Sequence, residues 1–84
     1  MKKVVMFSAS WCGPCKQSKP VFNEIAASRK DMEFQVVDIE ENEDMTKDFN
    51  ITGVPTFMII EDNEEVKRLV GAANKSKLEA FITG

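Results

Sequence analysis

The 84-residue chain is long enough for one small domain and too short for two. Its composition is that of a globular protein, with 43% hydrophobic and 30% charged residues and a net charge of −3. The basic residues are scattered along the chain rather than clustered, which argues against nucleic acid or an anionic membrane as a partner.

The amino terminus carries no convincing targeting signal. Residues 1–3 are Met-Lys-Lys, as at the start of a secretory signal, but the apolar run at residues 4–7 is too short for the core of one. No stretch approaches the roughly 18 apolar residues of a membrane span. We therefore expect an intracellular, cytoplasmic protein.

The first half of the chain predicts a β-α-β arrangement. Residues 3–8 include four successive apolar residues, which is typical of a strand buried on both faces. Residues 12–29 predict a helix, with Arg29 and Lys30 placed in its last turn at the negative end of the helix dipole. Residues 34–39 predict a second strand, reached by a right-handed crossover.

A short helix and a hairpin are predicted next. Asn42 is expected to cap the short helix, and Met45 and Phe49 are expected to face inward. Two strands follow at residues 56–60 and 65–70. Because a short polar turn separates them, they are expected to pair as an antiparallel hairpin.

The last element predicted is a helix. Gly71 ends the preceding strand and Asn74 can cap the helix, whose apolar stripe consists of Leu78, Phe81 and Ile82. The complete order is βαβ-α-ββα. It predicts an α/β fold in which a four-stranded mixed sheet is flanked by three helices.

The chemistry of the chain is predicted to lie in its two cysteines, Cys12 and Cys15. A disulfide between them closes too short a loop to serve mainly for stability. The start of a helix offers unpaired N–H groups and a positive dipole end, which favour a thiolate. We therefore interpret Cys12, at the exposed helix start, as a nucleophile and the more buried Cys15 as the residue that resolves its mixed disulfide. Pro14 suits the first helical turn, and Lys16 adds positive charge.

Two other interpretations of this Cys-x-x-Cys pair remain. One is that the pair forms half of a zinc site, and the other is that the two residues are incidental core thiols. Zinc takes four ligands, and the chain has neither a second cysteine pair nor any histidine. The predicted strand before the pair and the helix after it favour redox chemistry. No metal and no cofactor other than a redox-active disulfide are expected.

Residues 11–16, Trp-Cys-Gly-Pro-Cys-Lys, resemble the active site of the thioredoxin family. Pro20 resembles the proline that kinks the family's active-site helix, and residues 54–56 resemble its cis-proline loop. Residues 71–75 are similar to its substrate-facing loop and the start of its last helix. The resemblance covers nearly the whole chain in order and spacing, and it implies a single thioredoxin-like domain over residues 1–84.

The resemblance also implies roles for the residues around the cysteines. Pro55 would be cis and pack beside the two sulfurs, while the backbone of Val54 would hydrogen-bond an extended substrate segment. Taken singly, Trp11 also fits a core position and Pro55 an edge-strand proline. The implied substrate-docking surface is flat and apolar and consists of Trp11, Gly13, Pro14, Val54, Gly71 and Ala72.

The sequence departs from the family at its start. A typical thioredoxin has an additional strand and helix before the strand that we predict at residues 3–8. The chain is therefore expected to be a short version of the fold, in which the strand at residues 34–39 is a sheet edge. Acidic residues at Glu33, Asp38 and Glu40 would protect that edge from pairing with other chains.

A second departure lies behind the cysteines. Thioredoxins usually bury an aspartate at the position of Met6 and pair it with a lysine at the position of Val36. Here both are apolar, and we expect the two side chains to touch beneath the active-site helix. Cys15 would then have no carboxylate to accept its proton.

The function that the resemblance implies is the reduction of protein disulfides by a monomer, recharged by a flavoenzyme similar to thioredoxin reductase. A glutaredoxin-like protein that uses glutathione is the alternative with the same chemistry. However, the motif lacks the tyrosine typical of glutaredoxins, and no basic cluster marks a glutathione site. Oxidases and isomerases usually carry a histidine between the cysteines. This chain has none, which argues against both of these functions. An alternative from a different functional class is that the domain is a non-catalytic subunit of a larger complex.

Overall fold

The predicted order of strands and helices is confirmed. A computed structural model describes residues 2–84 of the chain. Its elements are β1 (Lys2–Ser8), α1 (Gly13–Ser28), β2 (Glu33–Asp38), α2 (Glu43–Asp48), β3 (Thr56–Glu61), β4 (Glu64–Val70) and α3 (Lys75–Thr83). In the described part of the chain, no helix is long and apolar enough to cross a membrane.

The four strands form one mixed sheet in the order β2-β1-β3-β4. β1 pairs in parallel with β2 and antiparallel with β3, and β3 pairs antiparallel with β4. The two central strands are buried on both faces, because residues 4–7 and 57–60 are all apolar. β2 lies at one edge of the described sheet, as expected from the sequence.

Each face of the sheet carries its own hydrophobic cluster. Alternate strand residues such as Met6 and Phe57 point to the face covered by α1 and α3, where Phe22 packs against Phe34 and Phe57 at ring distances of 5.6 and 6.1 Å. The other face carries Val5, Phe7, Val37, Met58 and Ile60, with Met45 and Phe49 packed against them. The prediction that Met45 and Phe49 face inward is therefore confirmed.

The first helix, α1, ends earlier than predicted. α1 stops at Ser28, and Arg29 is its C-cap, with a backbone N–H that donates to the carbonyl of Ile25. The expectation that Arg29 and Lys30 lie in the last turn is therefore wrong. The Arg29 guanidinium turns instead to Asp31, 2.9 Å away, and its hydrogen bond lowers the pKa of that carboxyl.

The short helix is capped differently from the prediction. Asn42 occupies the N-cap position of α2, but its side chain makes no capping hydrogen bond. Its amide instead donates to the carbonyl of Asp38, 3.0 Å away, because the chain turns sharply after β2. The predicted role of the Asn42 side chain is therefore wrong, although the helix begins where expected.

The β3–β4 hairpin closes through Asp62 and Asn63, which both have positive φ angles of 53° and 65°. Asx residues tolerate this conformation, and two such residues in a row make the turn that matches strand twist. The register shifts between Ile59 and Ile60, so β4 carries one extra residue at Val66.

The final helix is capped as predicted. The side-chain oxygen of Asn74 accepts a hydrogen bond of 2.8 Å from the backbone N–H of Lys77. Leu78 and Ile82 are buried, while Phe81 is half-buried and lies under the ammonium of Lys67. α3 therefore packs beside α1 over the same face of the sheet.

Candidate active site

The two cysteines lie where β1 leads into α1. The Cys12 N–H donates to the carbonyl of Ala9, 3.2 Å away, which turns the chain directly after the strand. Cys12 has an extended backbone and is the N-cap of α1, and Pro14 occupies the first turn. Proline fits there because its missing N–H has no partner to lose.

The two sulfurs are joined in a disulfide, and the Cα atoms of Cys12 and Cys15 lie 5.3 Å apart. Sγ of Cys12 also accepts a hydrogen bond from the backbone N–H of Cys15, at 3.1 Å. A side-chain atom at an N-cap that accepts from the first turn is well placed to carry negative charge. The geometry therefore suits a Cys12 thiolate when the disulfide is opened.

The burial of the two cysteines differs from the expectation. Cys12 was predicted to be exposed, but its exposed fraction is 4%, against 1% for Cys15. Both cysteines belong to the buried cluster that includes Ala9 and Ala73. The asymmetry between them therefore lies in their helix positions, N-cap and first turn, rather than in exposure.

The predicted cis-proline is present. The peptide bond between Val54 and Pro55 is cis, and Pro55 is fully buried. The carbonyl of Pro55 accepts a 2.9 Å hydrogen bond from the N–H of Gly71, which joins this loop to the segment after β4. Gly71 has a φ of +103°, a conformation that disfavours any residue with a Cβ.

Strand register places these segments at one end of the sheet. Phe7 near the end of β1 pairs with Thr56 at the start of β3, which in turn pairs with Val70 at the end of β4. The residues that follow Phe7 and Val70 and those that precede Thr56 therefore meet at the same end of the sheet. Trp11 is 66% exposed; Gly13, Pro14, Lys16 and Ala72 are exposed, and Val54 and Gly71 are half-buried.

Met6 and Val36 are direct partners in the β1–β2 register and lie on the α1 side of the sheet. Met6 is fully buried in the cluster that includes both cysteines, whereas Val36 is 38% exposed on the edge strand. The two residues are register neighbours, but Val36 is exposed and is not among the residues packed against the buried cluster, so the expectation that both side chains fill the space beneath α1 is wrong for Val36.

An acidic segment borders the site. The Ser10 hydroxyl, one residue before Trp11, donates to a carboxylate oxygen of Glu40 at 3.2 Å. Glu40, Glu41, Glu43 and Asp44 are all exposed. Within residues 2–84 no group of three or more His, Cys, Asp or Glu side chains is arranged to hold a metal ion.

Sequence reasoning missed Ser18. Its side chain is 2% exposed, and its hydroxyl oxygen accepts a hydrogen bond of 3.4 Å from the backbone N–H of Ala73. The signal was present, because residue 18 falls at helical spacing between Cys15 and Phe22 on the inward face of α1. A polar residue in that series indicates a buried hydrogen-bond partner.

Comparison with known proteins agrees with this geometry. The sequence model of the Thioredoxin family matches residues 1–84. Thioredoxin H2 of Arabidopsis thaliana is 42% identical over 80 residues, which cover 95% of this chain and 59% of that protein. Thioredoxin H2-1 of Oryza sativa subsp. japonica is 44% identical over 79 residues, covering 94% and 56%.

Solved structures agree as well. The thioredoxin of Fasciola hepatica matches with a TM-score of 0.90 and 40% identity, over 98% of this chain and 78% of that one. A Plasmodium falciparum thioredoxin matches with a TM-score of 0.91 and 38% identity, over 98% and 79%. The chain spans 59% and 56% of the two plant proteins it matches. On its fold, its cysteine pair and these similarities, the chain belongs to the thioredoxin family.

Proposed function

We propose that this chain is a thiol–disulfide oxidoreductase that reduces disulfides of protein substrates. The observation that carries the proposal is the disulfide between Cys12 and Cys15 at the start of α1, with Cys12 at the N-cap position. Membership of the thioredoxin family supports it.

The proposed reaction is two successive thiol–disulfide exchanges. The Cys12 thiolate attacks one substrate sulfur, so a Cys12–substrate disulfide forms and the other substrate sulfur leaves as a thiolate. Cys15 then loses its proton and attacks Sγ of Cys12. The Cys12–Cys15 disulfide forms, the mixed disulfide breaks, and the second substrate thiolate leaves. The substrate gains two electrons, and the two protons come from the protein's thiols through solvent.

Other residues in the proposal hold the substrate. The docking surface consists of Trp11, Gly13, Pro14, Val54, Gly71 and Ala72. Their position at one end of the sheet, where four of them are exposed and Val54 and Gly71 are half-buried, supports this assignment. The backbone of Val54 would pair with an extended substrate segment, Pro55 would pack beside the sulfurs, and Lys16 would add positive charge.

We further propose the partners and the location of this reaction. The substrates are disulfide-containing proteins, and a flavoenzyme similar to thioredoxin reductase returns the protein to its dithiol form. The chain acts as a monomer and a single domain, in the cytoplasm, and needs no cofactor beyond its disulfide.

Reduced protein mixed with dithiobis(nitrobenzoate) tests the chemistry. We expect the natural chain to release two nitrothiolates per molecule, since Cys15 resolves the adduct on Cys12. Cys15→Ser should release one and retain the other as a stable adduct on Cys12, detected by mass spectrometry, and Cys12→Ser should react far more slowly. Equal reactivity of Cys12→Ser, or no adduct on Cys15→Ser, would contradict the assigned roles.

The redox potential tests the direction of electron flow. Equilibration with glutathione redox buffers should give about −270 mV, which is the value of thioredoxin itself. A value near about −120 mV, that of a strong oxidant, would contradict the proposal that the chain is a reductant.

A further inference from the structure

A small surface pocket lies one helical turn beyond Cys15, between α1 and the segment after β4. It has a volume of about 290 Å³. Its lining residues are Gln17, Ser18 and Val21 from α1 and Ala72, Ala73 and Asn74 from the other side. Ser18 follows Cys15 by one helical turn, and Ala72 also belongs to the docking surface. The pocket therefore continues the docking surface along the side of α1.

Two contacts hold the walls of this pocket together. The Ala73 N–H donates to the buried hydroxyl oxygen of Ser18, which fixes the loop to the helix. One residue beyond the pocket, Lys75 at the start of α3 pairs with Glu24 of α1 at 2.9 Å. Because both contacts join residues of the chain itself, little ordering would be needed for a group to enter the pocket.

The lining has the chemistry of a site for an uncharged group. It contains no charged side chain and combines apolar Val21, Ala72 and Ala73 with two carboxamides and one hydroxyl. A charged side chain entering it would lose water without meeting an opposite charge, whereas an aliphatic one would bury apolar surface. The side-chain oxygen of Asn74 is already used to cap α3, so its amide group is the part left to donate.

The size of the pocket limits what can occupy it. Pockets for cofactors and drug-sized ligands measure roughly 300–1,000 Å³ and enclose most of the ligand. This pocket lies just below that range, and Ala72 belongs both to its lining and to the docking surface. It fits one side chain of a polypeptide already docked at the cysteines better than it fits an independent small molecule.

We propose that this pocket is a specificity subsite, which takes one uncharged, aliphatic-stemmed side chain from a substrate residue close to the reacting cysteine. The proposal rests on the proposed reduction of protein disulfides and adds to it a preference for sequence. Gln17 forms the exposed rim of the subsite, and Ser18 holds its wall in position.

Synthetic peptides provide the test. Each peptide carries one cysteine as a mixed disulfide with nitrothiobenzoate in an alanine-rich sequence, and a single flanking alanine is replaced by Leu, Gln, Lys or Glu. The rate of nitrothiolate release by reduced protein is measured by stopped flow. At one flanking position we expect Leu or Gln to react at least about fivefold faster than Ala, and Lys and Glu to give no gain. A closed apolar pocket gives about tenfold or more per methylene, and this one is open.

Two variants localise the preference to the pocket. Gln17→Trp places a bulky ring at the exposed rim, and we expect the Leu-to-Ala rate ratio to fall to about one. Gln35→Trp, at the chain's other glutamine on the edge strand β2, should keep the ratio of the natural protein.

Each remaining outcome has a definite meaning. Equal rates for all peptides, a preference for Lys or Glu, or a Leu preference that persists in Gln17→Trp would overturn the subsite while leaving the proposed function intact. Failure to release nitrothiolate from any peptide, including the all-alanine one, would overturn the proposed function and the subsite together.

Discussion

At the residue scale, Met6 is an apolar residue at the position where the resemblance to thioredoxins implies a buried aspartate. It is fully buried in the cluster that holds both cysteines. The buried polar side chains described in residues 2–84 are Ser8, Ser18 and Thr56, and none of these is an acid. The proton of Cys15 would therefore pass to water or to the departing substrate thiolate in the proposed reaction.

Met6→Asp should reveal how apolar this interior is. An unpaired carboxylate there should lower the free energy of unfolding by at least about 3 kcal/mol near neutral pH. Burial raises the pKa of the introduced carboxyl above its unfolded value. The loss is therefore greatest at pH values above that raised pKa and shrinks as the pH falls towards the unfolded value of about 3.9, below which the group is protonated in both states.

Urea titrations at about pH 7 and about pH 4 measure this difference. Met6→Leu is the matched control, since a volume-conserving apolar change costs less than about 1.5 kcal/mol and adds no titrating group. A loss for Met6→Asp that is the same at both pH values would show that water reaches the position.

At the scale of helices, the chain offers two asparagines at N-cap positions that behave differently. Asn74→Ala should lower the free energy of unfolding by about 1 kcal/mol, because its side-chain oxygen accepts the Lys77 N–H. Asn42→Ala should cost less, since the Asn42 side chain makes no capping hydrogen bond and its bond to the Asp38 carbonyl is exposed to water. Urea denaturation of the two variants compares them directly, and a larger loss for Asn42→Ala would contradict the assigned cap.

At the scale of the hairpin, the bulge in β4 makes an ion pair possible. Residues three apart in a regular strand point to opposite faces, but the extra residue at Val66 puts Glu65 and Arg68 on the same face. Two Arg68 nitrogens donate to the Glu65 carboxylate at 2.6 Å, and one also donates to the carbonyl of Phe49. Arg68 thereby ties β4 to the end of α2.

This pair predicts a pH-dependent contribution to stability. The Arg68 hydrogen bond lowers the pKa of Glu65 from its ordinary value of 4.5, so the stabilisation is complete above pH 4.5 and is lost as the pH falls through the lowered pKa. Both side chains are about one-third exposed, so the pair contributes only about 0.2–1 kcal/mol. Glu65→Gln should cost that amount near pH 7 and nothing near about pH 2.

Glu64→Gln is the matched control, since Glu64 takes part in none of the ion pairs described for residues 2–84. Urea titrations across the acid range compare the variants with the natural chain. A Glu65→Gln effect that does not change with pH would show that the pair is not the source of the stabilisation.

The sequence predicts those features of the fold whose pattern lies in neighbouring residues of the chain. The apolar run in β1, the Cys-x-x-Cys before a helix and the Asn74 cap are local patterns, and the structure has each within one or two residues of its predicted place. The bonding of Ser18 to Ala73 joins residues 55 positions apart. The exposure of Val36 and the bulge at Val66 likewise depend on how strands pair. Such features follow from packing between distant segments, which periodicity does not describe.

At the scale of the whole molecule, the two faces of the sheet are unequally covered. The face with the cysteines packs against α1 and α3, of 16 and 9 residues, whereas the other lies under α2, of 6 residues, and the loops around it. No residue of α2 is fully buried. The α2 side should therefore open at a lower free energy than the α1 side, leaving the redox site in the more stable part of the fold.

Two phenylalanines measure this inequality. Phe22 is 1% exposed and contacts two other rings, so Phe22→Ala should lower the free energy of unfolding by about 3–5 kcal/mol. Phe49 is half-buried, with its ring 6.4 Å from that of Phe7, and Phe49→Ala should cost about 1–2 kcal/mol. Amide hydrogen exchange of the natural protein provides the independent check, because α2 should exchange through local opening while the central turns of α1 exchange only on global unfolding. Similar losses for the two variants, or equal protection of α1 and α2, would mean that the α2 face is as firmly packed as the face that carries the cysteines.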